Sequence, residues 1–153
     1  MDLYRTQVTR LHQYCTSALF KALTDCGLAV APPKGAFYLY PSFHPYTKQL
    51  EAMGIRTSKQ LSHWLVEECG IATLPGSAFG EDDEGLMGGR YRLRMATSYL
   101  FFASEDARYT DGYKLIEMAL VEDPIVSGKL PMLDRAVEAL KAAVEKVKSS
   151  GLA

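Results

Sequence analysis

Apolar residues recur at intervals of three and four through the start of the chain: Tyr4, Val8, Leu11, Cys15, Ala18, Leu19, Ala22 and Leu23. That spacing gathers them on one face of an α-helix, and Gly27 supplies a left-handed stop. The stripe is already running at Leu3 and Tyr4 without an N-cap ahead of it, so the chain is expected to be a piece of something longer. The period then changes. Residues 28–31 (LAVA) and 36–40 (AFYLY) read as short strands in a hairpin around the turn PPKG, and 42–56 as a loop. Thr57 and Gln60 form a capping-box pair, followed by the helical face Leu61, Trp64, Leu65 and Cys69 up to Gly70. Residues 71–74 (IATL) make a third strand and 75–80 a loop.

After the acidic residues Glu81, Asp82, Asp83 and Glu84 and a glycine pair, Arg90, Arg92 and Arg94 alternate with Tyr91, Leu93 and Met95. Successive side chains of a strand point to opposite faces, so the three arginines are predicted to share one face. Three like charges side by side repel unless an anion lies opposite. Residue types leave two answers open, the protein's own acidic run or a ligand. Helical patterns return over 104–121 and 130–149, joined by a loop at 122–131. The last helix has the stripe Leu133, Val137, Leu140, Val144 and Val147. The expected fold class is α+β, a small and largely antiparallel sheet covered by helices, with 1–153 as one domain.

Composition narrows the function. The chain has 153 residues, 48% of them hydrophobic, enough for one core; 17 basic against 18 acidic residues give a net charge of -1. That balance argues against a nucleic-acid partner or a polybasic membrane surface, and no apolar run approaches the ~18–20 residues of a membrane span. Cys15, Cys26 and Cys69 are odd in number and form no CxxC, and are read as reduced thiols in a cytoplasmic setting. His12, His44 and His63 are scattered without ligand spacing, so no metal site is expected. Ser77 lies in PGSAFG, which lacks the GxSxG of a nucleophile elbow.

Three motifs in order, PPKGAFYLYP (32–41), LPGSAFG (74–80) and RLRMA (92–96), resemble the C-terminal part of the class I/II aminotransferases, fold-type I enzymes dependent on pyridoxal phosphate. The resemblance covers about residues 1–100. It implies an aminotransferase small domain, which binds the substrate α-carboxylate and closes over the active site. The parent reaction would move an amino group between an amino acid and a 2-oxo acid. Arg92, which opens RLRMA, matches the family arginine that grips the α-carboxylate with two prongs. A planar guanidinium can do this and an ammonium cannot. Arg90 and Arg94 fall outside that role and are read as structural. Gly35 and Phe37 match a substrate-proximal segment, the glycine for close backbone approach and Phe37, or Tyr38, as a wall beside the substrate.

The family's Schiff-base lysine and cofactor-holding groups belong to a large domain whose motifs are missing from this sequence. Lys59 in Thr57-Ser58-Lys59 has only a superficial likeness to that lysine, without its glycine-rich sequel. The resemblance therefore implies no catalytic or cofactor-binding residue here, and pyridoxal phosphate in the full-length parent only. The implied partners are the large domain, amino-acid and 2-oxo-acid substrates, and a second copy in a homodimeric parent. A domain parted from its large partner is also expected to expose apolar residues of the first helix and of PPKGAFY. Alternatives are a non-transaminating relative (aminocyclopropane-carboxylate synthase-like or a β-lyase) and the aminotransferase-like effector domain of a transcription regulator.

Overall fold

The computed structural model describes residues 2–83, 89–100, 102, 104, 106–107 and 130–150. Helix α1, Asp2–Asp25, follows the predicted stripe: Leu11, Cys15, Leu19, Ala22 and Leu23 are buried, with Val8 and Ala18 half-buried. Gly27 ends it at φ +80, where Leu28 N donates back to the Leu23 carbonyl. Burial pushes the Cys15 thiol up to about 12. Helix α2, Thr47–Ala52, lies where a loop was expected. Its signal was short: one buried apolar residue, Leu50, in six.

Helix α3, Ser58–Cys69, has the predicted caps. Thr57 Oγ1 accepts from Gln60 N at 3.1 Å, the Gln60 side chain accepts from Arg56 N at 2.7 Å, and Gly70 closes the helix at φ +66. Leu61 and Leu65 are fully buried. Helix α4, Pro131–Ser149, buries Leu133, Leu140, Ala143, Val144 and Val147 against α1 and α3. Of the helix expected over 104–121, the described part shows Ala107 N donating to Ser104 Oγ (3.1 Å). The rest of it, and the 122–131 loop up to Leu130, lie outside the described residues, as do Glu84 and Gly88.

Among the described residues, three short strands form one antiparallel sheet: β1 Tyr38–Leu39, β2 Leu74–Pro75 and β3 Leu93–Ala96, with β3 in the centre. The register sets Tyr38 opposite Ala96 and Leu74 opposite Arg94. The expected 28–31 strand reduces to one bridge, Ala29 with Ser42. No tight hairpin forms at PPKG because Pro32 and Pro33 have no N–H to give a ladder. The chain turns instead through Ala36, a non-glycine residue at φ +58.

The arginine segment also needs correction. Burial alternates as predicted, with Tyr91, Leu93 and Met95 inside, but the strand begins only at Leu93, preceded by a bridge at Arg92. Arg90 sits in a 3-10 turn, Gly89–Tyr91. Tyr91 anchors that turn by donating its buried hydroxyl to the Ile55 carbonyl at 3.0 Å.

The sheet's inner residues Leu39, Leu93 and Met95 join the core beneath the helices, and its outer face carries Tyr38, Arg92, Arg94 and Leu74. Tyr38 is 41% and Leu74 46% exposed, as is Phe79 (46%) beside them. Of the apolar exposure expected, Pro32, Ala36 and Tyr38 are exposed in PPKGAFY, while the described stripe of α1 is buried or half-buried. No helix among the described residues is long and apolar enough to cross a membrane.

Candidate functional site

The three arginines of the alternating run meet three different kinds of partner. Arg90 Nη1 donates to Glu51 Oε1 at 3.0 Å and its Nε to the Asp83 carbonyl at 3.0 Å, tying α2 to the loop before β3. The Arg94 guanidinium lies over two rings, 4.6 Å from the centroid of Tyr38 and 4.3 Å from that of Phe79. A cation over an aromatic face is attracted by the ring quadrupole, so Arg94 is held flat on the outer surface. Arg92 Nη1 donates to Glu81 Oε1 at 3.1 Å, with side chains 39% and 26% exposed. The acidic run thus partly answers the charge problem: Glu81 serves Arg92, and the Asp83 backbone serves Arg90.

Backbone contacts on both sides hold Arg92 in place. Gly76 N donates to the Arg92 carbonyl at 2.8 Å, Leu93 N to the Pro41 carbonyl at 3.0 Å, and Phe43 N to the Tyr91 carbonyl at 3.0 Å. Gly76 is a glycine for a steric reason. A Cβ there would lie 3.0 Å from the Arg92 carbonyl oxygen, 3.0 Å from the Tyr40 hydroxyl and 3.2 Å from Arg92 Cβ. Gly76→Ala is therefore expected to lower stability by about 1–3 kcal/mol through overpacking. The urea midpoint of Gly35→Ala is the comparison. No atom lies within 4 Å of a Cβ at Gly35, and that variant should stay within ~0.5 kcal/mol of wild type.

Tyr40 completes the surroundings of Arg92. Its phenol is pushed up, first by burial and next by the Glu81 charge, with Arg92 acting in the opposite direction. Tyr40, Gly76 and Phe79 were not singled out from the sequence as parts of this surface, and Glu81 was named only as one of four acids that could answer the arginines. Tyr40 had a signal, since it falls in step with Tyr38 in AFYLY and so on the same sheet face.

Gly35 and Phe37 lie elsewhere. They line a cleft of about 440 Å³ between α1 and residues 33–37, with Thr9, His12 and Gln13 on the helix side. The Phe37 ring is 5.4 Å from that of His12 and 4.6 Å from that of Tyr38. Burial lowers the His12 pKa. Arg92 is not part of this lining. Since Tyr38 pairs with Ala96, four residues along the strand direction put Arg92 roughly 13 Å away.

Lys59 is exposed in the first turn of α3. The amide of Ser58 at that helix start, where a phosphate would bind, already donates to Asp83 Oδ1 at 2.8 Å. Among the described residues no cluster of three or more His, Cys, Asp or Glu side chains could hold a metal ion.

Residues 1–98 match the sequence profile of the family described as aminotransferase class I and II. Curated relatives include aromatic-amino-acid aminotransferase 2 of Thermococcus litoralis, 31% identical over 93 residues, which are 61% of this chain and 21% of that protein. Aspartate aminotransferase of Pyrococcus abyssi is 37% identical over 81 residues, 53% of this chain and 18% of that protein. Among solved structures, the aromatic aminotransferase from Pyrococcus horikoshii superposes with a TM-score of 0.54 at 22% identity, covering 90% of this chain and 25% of that one. The likeness to that structure is one of fold. The chain spans about a fifth of the length of the curated relatives it matches.

Proposed function

Because the chain belongs to the class I and II aminotransferase family, we propose that it is the C-terminal small domain of a pyridoxal-phosphate-dependent aminotransferase, whose larger domain lies outside this sequence. The observation that carries the reading is Arg92: a guanidinium on the outer face of the sheet, backed by a fixed strand, part-exposed, and met by a part-exposed acid. A carboxylate arriving over that face would find a planar donor fork already positioned. In the parent, the cofactor and its lysine would come from the other domain. This chain's part is to bind and orient the substrate and to cover the site on closure, excluding water. Gly35 and Phe37, which precede Tyr38 and so lie beyond the Tyr38–Ala96 pair from Arg92, would border a different part of the substrate or the facing domain. The parent is proposed to work as a homodimer on amino-acid and 2-oxo-acid substrates.

Relatives named for aromatic amino acids and for aspartate set the donors to try first. The full-length protein loaded with pyridoxal phosphate is expected to convert phenylalanine, tyrosine or aspartate with 2-oxoglutarate into the matching 2-oxo acid and glutamate, one for one. Release of ammonia without an amino acceptor, or of a ring-closed amine, would overturn the transaminase reading in favour of a lyase or synthase relative.

A further inference from the structure

We infer that Glu81 is an internal competitor for the carboxylate seat of Arg92, so that a substrate carboxylate binds by displacing it. The inference rests on the reading of Arg92 as the substrate anchor and adds the residue that sets how available the anchor is.

Glu81 offers Arg92 the same chemical group that a substrate would. Its Oε1 already takes a hydrogen bond from Nη1 at 3.1 Å. A two-pronged grip needs two neighbouring N–H donors on one edge of the guanidinium. With Nη1 engaged and a negative charge beside it, an arriving carboxylate meets a shared donor and like-charge repulsion. The competitor is also tethered. Glu81 N donates to the Gly76 carbonyl at 3.2 Å, just after Gly80 at φ +85, so its side chain samples little volume and its effective concentration at Arg92 is high.

The pair is exchangeable rather than locked, since both side chains keep contact with water. Glu81 is itself part-exposed, so displacement does not strand a buried charge. The two neighbouring arginines lack this arrangement. Arg90 is fixed by a carbonyl as well as an acid, and Arg94 by two aromatic rings. When only a fraction of molecules present an open fork, apparent affinity falls by that fraction.

The test uses the 153-residue chain, 15N-labelled, with the arginine side-chain Nε–Hε resonances followed during titration with sodium acetate. Sodium chloride at matched ionic strength is the reference. Glu81→Gln keeps the size of the side chain and removes its charge. It is expected to bring the Arg92 response to about two- to fivefold lower acetate, the range for releasing a part-exposed ion pair. Glu81→Ala should move it the same way, which guards against a misfolded single variant. A merely structural role for Glu81 would weaken binding instead. Equal or weaker response in both Glu81 variants, an undetectable one included, overturns the inference. If the accompanying acetate shifts of the Arg94 Nε–Hε and Gly76 backbone N–H resonances in wild type are still lost on Arg92→Lys, the anchor reading survives without it. If acetate binding in Glu81→Gln persists unchanged after Arg92→Lys, the anchor reading itself fails, and the inference with it.

Discussion

Replacing Arg92 with alanine in the full-length parent is expected to lower kcat/KM for an amino-acid donor by roughly thirty-fold to several thousand-fold. Truncating one member of a desolvated, hydrogen-bonded charge pair typically costs about 2–5 kcal/mol, and that loss is read directly in kcat/KM. Domain closure would supply the desolvation that the open face of this chain does not have. Arg92→Lys keeps the charge but loses the planar fork, and should recover only part of the activity. Arg94→Ala and Arg90→Ala are expected to cost much less, because their partners are the Tyr38 and Phe79 rings in one case and Glu51 with the Asp83 carbonyl in the other. Steady-state kinetics across the four variants, with cofactor absorbance as the check on folding, measures this. Normal turnover in Arg92→Ala with a crippled Arg94→Ala would place the carboxylate contact two residues along the strand. No loss in any of them would leave the arginines as a surface feature.

Much of this arrangement was legible in residue order because it rests on local physics. The period of α1, the Thr57–Gln60 cap, the left-handed stop at Gly27 and the end of α3 at Gly70 follow from spacing and backbone preference alone, and all appear. The buried-exposed alternation from Arg90 to Met95 was equally readable. Strand lengths were not. The pairing of Tyr38–Leu39 with β3 is interrupted at Tyr40 and Pro41 and resumes as a bridge from Ser42 to Arg92, a property of tertiary register rather than of its own residues. The same limit applies to the site. The space in front of Gly35 is open, whereas Gly76 is the glycine pressed against Arg92. Nothing local distinguishes the two. Glu81 was visible only as one of four acids, and its pairing with Arg92 depends on the loop turning back at Gly80 to bring it over the sheet. Gly35 and Phe37 were grouped with Arg92 by resemblance, while the register of β1 on β3 separates them.

The alternation that places Arg92 on the outer face also separates stability from binding, and Leu93→Ala exposes that separation. Leu93 is fully buried in the core cluster that contains Leu23, Leu61, Leu65 and Val144. Truncation there removes packed methyl groups and leaves a cavity that α1, α3 and α4 can only partly close, at a cost of about 2–5 kcal/mol. Against a total of roughly 5–15 kcal/mol for a domain, that is a large share. At about 2–4 °C per kcal/mol for a chain of this size, Tm should drop by roughly 5–20 °C. Arg92→Ala, one residue away, gives up a part-exposed ion pair worth about 0–1 kcal/mol and should melt within a few degrees of wild type. Arg94→Ala loses two exposed ring contacts, about 1 kcal/mol together. Thermal and urea unfolding of the three variants, followed by far-ultraviolet circular dichroism, decide the matter. The expected order of destabilisation is Leu93 far above Arg94, and Arg94 at or above Arg92. If Leu93→Ala melts no lower than Arg92→Ala, the inner and outer faces of β3 have been assigned the wrong way round. The carboxylate seat would then have to be sought on the side now given to the core.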